Sequence, residues 1–411
     1  MGAFGRVCSL QADLRKRLNG CRIRKTEERY IVMKRLISMM LALCLVPVGA
    51  ALAEGEAENK TTEPATVTEQ AKGELPSLYE TYADKFDFGT AAPQYAFVNP
   101  KMTEFILKQF NILTPENELK PDSVLNVNGS RRRVKETGDE TQVAVHLMAA
   151  RPLLDFAKKN GLKVHGHVLV WHSQTPEEFF HEGYDTKNPT VSREVMLGRL
   201  ENYIRDVFEM TESNYPGLIV SWDVLNEAID DGTNKLRNSN WLKIIGEDFP
   251  NRAFEYARKY APENVKLYYN DYNTAVSIKR AGIEKLLKSL IADGTIDGYG
   301  FQMHHKVGSP DMIQIKVAVE RIAALGLRLR VSELDIGTSG NSEAAFREQA
   351  DMYANVMKLI LSHSEQFDAV QVWGLNDQMS WRSKDYPLLF DAQFEPKPAF
   401  WAVIDPYSWG K

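Results

Sequence analysis

The chain has 411 residues but only three cysteines, Cys8, Cys21 and Cys44, so nothing beyond residue 44 carries a thiol. That absence excludes a disulfide-stapled fold and a Cys-based metal centre for the bulk of the protein. A Gly-rich loop after a strand-like run is also missing, which weighs against a nucleotide-binding open sheet. No repeat of solenoid length is present. Long apolar runs are lacking too. Leu36 to Val48 is short, is broken by Pro47 and Gly49, and is followed at once by acidic residues, so it makes a poor membrane span.

That run suits a different purpose. Met33-Lys34-Arg35 is a basic n-region, Leu36 to Val48 an apolar h-region, and Ala51-Leu52-Ala53 a small-residue cleavage site, the order of a secretory signal peptide. Residues 1–53 are therefore expected to be an N-terminal extension and signal peptide cleaved near Ala53. Met33 as the true start explains the basic, patternless residues before it. Cys44 follows the bulky Leu43 where a lipid-attachment box wants a small residue. The expectation is an extracellular protein with no stable membrane insertion after cleavage. Setting aside the 10 basic and 3 acidic residues of this segment leaves 40 basic and 52 acidic residues, a balance of −12. Nucleic acid, whose phosphates demand Lys and Arg, is thus an unsuitable partner.

Residues 54–76 are rich in Glu, Thr, Ala and Lys with few aliphatic side chains, as expected of a disordered linker. From 77 to 411 strand-like and helix-like segments alternate. Strands are expected near 87–91, 111–114, 164–170, 219–225, 265–270, 298–302, 328–333 and 369–374, with amphipathic helices between them such as Ala149–Asn160, Ser192–Met210, Ile278–Ile291 and Ala344–Leu361. Eight strands with helical spacing predict an α/β protein, a single (β/α)8 TIM barrel. The Arg131-Arg132-Arg133 run reads most simply as a solvated loop.

Two stretches carry the chemistry. Ser221-Trp222-Asp223-Val224-Leu225-Asn226-Glu227 is a strand-like run ending in an Asn and a Glu, the place where a barrel strand delivers side chains to a site. Alone, Glu227 could equally cap a following helix. Leu327 to Asp335 repeats the pattern, ending in Glu333 and Asp335, which share a face at a period of two. Two Glu on separate strands of one barrel are what two-carboxylate glycoside hydrolysis requires. Other strand ends add Glu116, Asn117 and Lys120, then His165, His167, Trp171, His172 and Gln174, then Gln302 and His304, and finally Trp373, Asp377 and Trp381. His165 and His167 share a strand face; with no carboxylate at ligand spacing, they read as hydrogen-bonded barrel histidines rather than metal ligands. Trp171 and Trp222 could be core, whereas Trp373 and Trp381 flank polar loop residues and belong on a binding wall.

Gly166-His167, Trp171 to Pro176, Asp223 to Ala228, Gln302-Met303-His304 and Glu333-Leu334-Asp335, in that order, resemble glycoside hydrolase family 10, the endo-β-1,4-xylanases, from about Leu78 onward. The resemblance implies Glu227 as general acid/base, Glu333 as nucleophile, and Asn226 as the partner of the 2-hydroxyl of the sugar under attack. It implies that His304 and Asp335 orient the nucleophile. Glu116, Asn117, Lys120, His167, Trp171, Gln174, Trp373 and Trp381 would line glycone subsites, with Asn270, Tyr272 and Gln302 near the scissile bond. His165 departs from the family's usual Arg, Ser332 from its Thr and Pro121 from a frequent Trp. The resemblance implies an enzyme cutting internal bonds of xylan with retained configuration, with no metal or organic cofactor; the signal peptide makes it a secreted one, and a monomer is expected. A related barrel glycosidase acting on glucan or mannan, or a non-catalytic sugar-binding protein, are the alternatives. A matched carboxylate pair weighs against the latter.

Overall fold

The computed structural model describes residues 75–411; the expected signal peptide and nearly all of the expected linker lie outside them. The strands are β1 Asp87–Ala92, β2 Ile112–Pro115, β3 Lys163–Trp171, β4 Ile219–Asn226, β5 Lys266–Asp271, β6 Gly298–Phe301, β7 His304–Lys306, β8 Arg328–Gly337 and β9 Phe367–Val372. They run in the order β6-β5-β4-β3-β2-β1-β9-β8-β7, and a further pairing of β6 with β8 closes the ring. Every pairing is parallel. The short β7 continues β6 along the same partner, so the barrel has eight staves, as the sequence predicts. The last stave ends at Val372, which leaves Trp373 and Gly374 on the loop after it.

The expected helices are present as Arg151–Asn160, Arg193–Asn214, Ser277–Ala292 and Glu343–Leu361. Their ends follow local chemistry: Ser192 and Ser342 accept backbone N–H bonds at N-termini, and Gly161 at φ +69° stops the first of them. The Arg131-Arg132-Arg133 run is not a loop. It lies exposed on a helix, Val127–Thr137, begun by the Asn126 side chain and ended by Gly138 at φ +73°. Three consecutive arginines carry no apolar period, so only these caps and the buried Val134 marked the helix.

Outward-facing strand side chains such as Leu113, Val164, Trp222, Val224, Leu267, Leu329 and Val331 are buried beneath the helices. Trp222 meets Phe208 edge-on at 5.8 Å. A Cβ on Gly166 would overlap the Trp222 ring, so the glycine is what lets the indole sit over β3. The barrel interior is polar in its lower half. Arg330 donates to Ser221 Oγ (3.0 Å) and contacts His165 and Gln371, and Gln371 donates to Thr114 (2.8 Å). His165 and His167 are hydrogen-bonded barrel histidines. The carboxylate that sequence spacing did not offer them comes from the neighbouring strand: Asp223 Oδ2 lies 2.9 Å from both His165 Nε2 and His167 Nδ1.

Candidate active site

At the C-terminal ends of the strands a cavity of about 440 Å³ is lined by Glu116, Asn117, Lys120, His167, Trp171, Gln174, Asn226, Glu227, Tyr272, Gln302, His304, Glu333, Trp373 and Trp381. Asn270 and Asp335, fully buried, stand behind this lining. The structure thus gathers into one place all sixteen residues to which the family resemblance gives a role, whereas His165, His172 and Asp377 are not in the lining.

How the two carboxylates reach it was not legible from a period of two. On β8, Arg330 and Ser332 face the interior, and strict alternation would turn Glu333 outward. Instead Ser332 Oγ donates to Asn270 Oδ1 (2.6 Å) while Asn270 Nδ2 donates to Glu333 Oε1 (2.7 Å), so consecutive residues face the same neighbour. An irregularity in pairing between Val331 and Leu334 changes the phase. On β4 a similar shift between Asp223 and Leu225 lets Asp223 and Asn226 both point inward. Glu227 follows with φ +53°, and three contacts hold this unfavourable backbone. Its N–H donates to Asn270 O (2.9 Å), its carbonyl accepts from Arg237 Nε (3.1 Å), and the next N–H donates to Tyr269 Oη (3.1 Å). Glu227 caps nothing: the next helix, Asn240–Ile245, is capped by Ser239.

The carboxylates are joined by side-chain amides. Gln302 Nε2 donates to Glu227 Oε1 (2.9 Å) and Asn226 Oδ1 (3.1 Å), and Asn270 Nδ2 donates to the same Asn226 oxygen (3.1 Å) and to Glu333. Both bonds to Asn226 fall on its oxygen, which leaves its amide nitrogen for a ligand. Trp171 Nε1 donates to Glu227 Oε2 (2.9 Å) and fixes the plane of that carboxyl. Glu333 Oε2 lies 3.0 Å from His304 Nε2, and His304 Nδ1 lies 2.7 Å from Asp335 Oδ2. Burial disfavours charge on both His304 and Glu333, but the flanking carboxylates raise His304 to about 10. The resulting imidazolium, with His167 and the Asn270 bond, holds Glu333 below its usual range. Glu333 and His304 are therefore an ion pair at neutral pH.

A family model described as glycosyl hydrolase family 10 matches residues 77–406. The chain belongs to glycosyl hydrolase family 10. It is similar to the bifunctional endo-1,4-beta-xylanase XylA of Ruminococcus flavefaciens, 37% identical over 81% of this chain and 34% of that one, so the chain spans about a third of that relative's length. Among solved structures, it resembles the Clostridium thermocellum xylanase Xyn10B modules complexed with xylohexaose (TM-score 0.75, 35% identity, 84% of this chain and 71% of that one). It also resembles an intracellular xylanase of Thermoanaerobacterium saccharolyticum complexed with xylotriose (TM-score 0.73, 35% identity, 81% and 99%).

In this family 10 barrel one end of the cavity is tied together by Lys120. Its Nζ donates to Asn117 Oδ1 and Gln174 Oε1, each at 3.0 Å, and stands 5.0 Å from the Trp171 ring centre. Burial lowers the Lys120 pKa against the pull of Glu333 and Glu116. Burial and Glu118 raise Glu116. Across the cleft, Tyr272 Oη donates to Asp231 (2.5 Å), which also pairs with Arg237 (3.2 Å) and the buried Lys279 (2.8 Å). Sequence reading passed over Arg237, Asp231, Lys279 and Arg382. None sits in a matched motif, although Arg382 adjoins the wall residue Trp381. Asp377, expected among the loop residues of the mouth, instead pairs with Lys397 at 2.9 Å and does not line the cavity. Among the described residues no cluster of His, Cys, Asp and Glu has the geometry of a metal site.

Proposed function

We propose that the chain is a secreted endo-1,4-β-xylanase that hydrolyses internal bonds of xylan with retained configuration. The observation that carries the reading is the amide chain from Glu227 through Gln302, Asn226 and Asn270 to Glu333, two carboxyls fastened to one rigid bridge on the wall of an open cleft. Retaining enzymes hold such carboxyls about 5–5.5 Å apart, so that the second attacks carbon directly. In the first step Glu333 Oε attacks the anomeric carbon while Glu227 gives its proton to the departing glycosidic oxygen. The C–O bond breaks, and a glycosyl ester forms on Glu333. In the second step Glu227 takes a proton from water, whose oxygen displaces Glu333 from the same carbon, so two inversions give net retention. The free Asn226 amide nitrogen is placed to hold the 2-hydroxyl. When the ester forms, the anion beside His304 disappears, but Asp335 keeps the imidazolium paired.

Substrate class follows from the wall. Gln174, Trp373 and Trp381 line the cleft, and the family resemblance sets them against the ring carbon that carries a hydroxymethyl group in glucose and only hydrogen in xylose; on this reading discrimination comes from repulsion. A relative described as exoglucanase XynX keeps a glucan-directed reading in play. New reducing ends measured on xylan, carboxymethyl-cellulose and mannan decide among these readings. Rapid release of short oligosaccharides from xylan alone is expected. Equal or greater action on cellulose would move the protein to the glucanases, and silence on all three to the sugar-binding proteins. Export rests on the n-region, h-region and Ala51-Leu52-Ala53 order; N-terminal sequencing of protein from the culture medium should begin near Glu54, and a protein retained in the cell would refute it.

A further inference from the structure

Asp335 is more than the second partner of His304. Among the described residues it collects three donors: His304 Nδ1 on Oδ2 (2.7 Å), Trp381 Nε1 on the same oxygen (3.1 Å), and Arg382 Nη1 on Oδ1. Trp381 is 62% exposed and faces the cleft, whereas Asp335 is fully buried. The Trp381 ring also meets the His304 ring edge-on at 5.1 Å. A hydrogen-bonded line therefore runs from the sugar-facing wall through Asp335 and His304 to Glu333.

Charge shows what Arg382 adds. Glu333 and Asp335 bring two negative charges, and His304 alone brings one positive. Arg382 makes the quartet neutral. Its guanidinium is held on its other sides by the His305 carbonyl (2.9 Å) and by Asp385 (3.5 Å). Gly337 leaves the room: a Cβ there would stand 2.8 Å from Arg382 Nη2 and 2.9 Å from Asp385 Cβ. The other charged or titratable groups facing this quartet are Lys120, His167 and Glu227 across the cleft, His305 beside it, held low by burial and by His304, Lys306 and Asp385 behind Arg382, and Tyr353 from the helix Glu343–Leu361.

We infer that Arg382 is a positioning residue that acts through Asp335 to hold His304, and with it the attacking oxygen of Glu333, in the charged and oriented state needed for attack, while anchoring the loop that presents Trp381. This inference rests on the assignment of Glu333 as nucleophile. Without Arg382 the site carries one excess negative charge, which disfavours ionised Glu333, so the acid limb of activity must move to higher pH.

The test is the pH dependence of kcat and kcat/KM on an aryl β-xylobioside for wild type, Arg382→Gln, Arg382→Lys and Gly337→Ala, each checked for a native melting profile. Arg382→Gln is expected to move the acid limb up by about one pH unit and to lower kcat about tenfold or more, with a smaller change in KM. Arg382→Lys should restore the limb. Gly337→Ala, which keeps the arginine but displaces it, should shift the limb in the direction of Arg382→Gln. An unchanged limb in a folded Arg382→Gln protein, or an equal shift in Arg382→Lys, would overturn the inference; if Arg382→Gln does not fold, an unmoved limb in Gly337→Ala does so. Should the wild type hydrolyse no xyloside, the activity reading fails by itself. Carboxyl-carbon NMR of Glu333, assigned by its loss in Glu333→Gln, then decides separately: an upward titration shift in Arg382→Gln supports the coupling, and none refutes it.

Discussion

The barrel interior holds two polar clusters, one above the other, and they are built oppositely. The lower one, Arg330, His165, Asp223, Ser221, Gln371 and Thr114, is buried: its members are at most 5% exposed and bond mainly one another, with Asp223 Oδ1 and Arg330 Nε left without a hydrogen-bond partner. The upper one, Glu333, Glu227, Asn226, Gln302 and His304, is answered by protein from behind and from the sides but opens on the cleft. His167 joins them, bonding Asp223 below and lining the cavity above. The same residue types thus serve two ends. Below, a carboxylate between imidazoles compensates buried charge. Above, the arrangement keeps one carboxylate charged and leaves it open to the cleft. The histidines record the difference. Burial and the nearby Arg330 hold His165 at about 4 and hence neutral, whereas Asp335 and Glu333 overcome burial to hold His304 at about 10.

Substitutions should separate the clusters, and the largest effect belongs to the upper one. Glu333→Ala is expected to abolish turnover on natural and aryl substrates alike. Glu227→Ala should lose about 10²–10⁴-fold on xylan yet keep much of its first-step rate on an activated aryl glycoside, whose leaving group needs no proton, and gain turnover with azide. Steady-state rates on both substrates check this, and equal losses for the two variants would contradict the assigned roles.

Next in size is the lower cluster. Asp223→Ala strands His165, His167 and Arg330 without their carboxylate and should cost about 3–5 kcal/mol of stability, read by denaturant unfolding. A loss of activity with no loss of stability would erase the distinction drawn between the two clusters.

The two histidines should also give stability opposite dependences on pH. His304, raised above its unfolded value, contributes fully below about 6.5 and loses its contribution as pH rises through about 10. His165 is depressed, so its neutral burial costs stability as pH falls from about 6.5 toward about 4. Unfolding midpoints across pH for His304→Gln and His165→Gln should flatten the alkaline and the acid slope respectively. Matching slopes in the two variants would contradict the assignment.

The smallest change expected is in selectivity. Trp381→Ala removes part of the wall and should narrow the ratio of specificity constants for aryl xylobioside over aryl cellobioside by about tenfold, with lower activity and little change in melting because the ring is mostly exposed. A ratio unmoved in Trp381→Ala would place the discrimination on Gln174 or Trp373.

Much of this was readable in the chain alone. The eight staves are legible because each is a short, largely alternating run whose apolar residues face the helices, set between amphipathic helical segments. Glu227, Glu333 and their companions are legible because they stand where those runs break into polar residues, and because their motifs match one family in order. Local chemistry determined the caps at Ser192, Ser342 and Gly161. Tertiary structure alone decided three things. It set the phase of β4 and β8, since a pairing irregularity is a property of two strands and neither encodes it singly; without it Ser332 and Glu333 could not both reach Asn270. It gave His165 and His167 their carboxylate, because Asp223 is 56 residues from His167 in the chain but adjacent across parallel strands. And it brought Arg382 onto Asp335 from 47 residues away, a contact made when the barrel closes β8 beside β9. Side chains that act through space over such separations leave no period and no motif, so only the closed barrel places them.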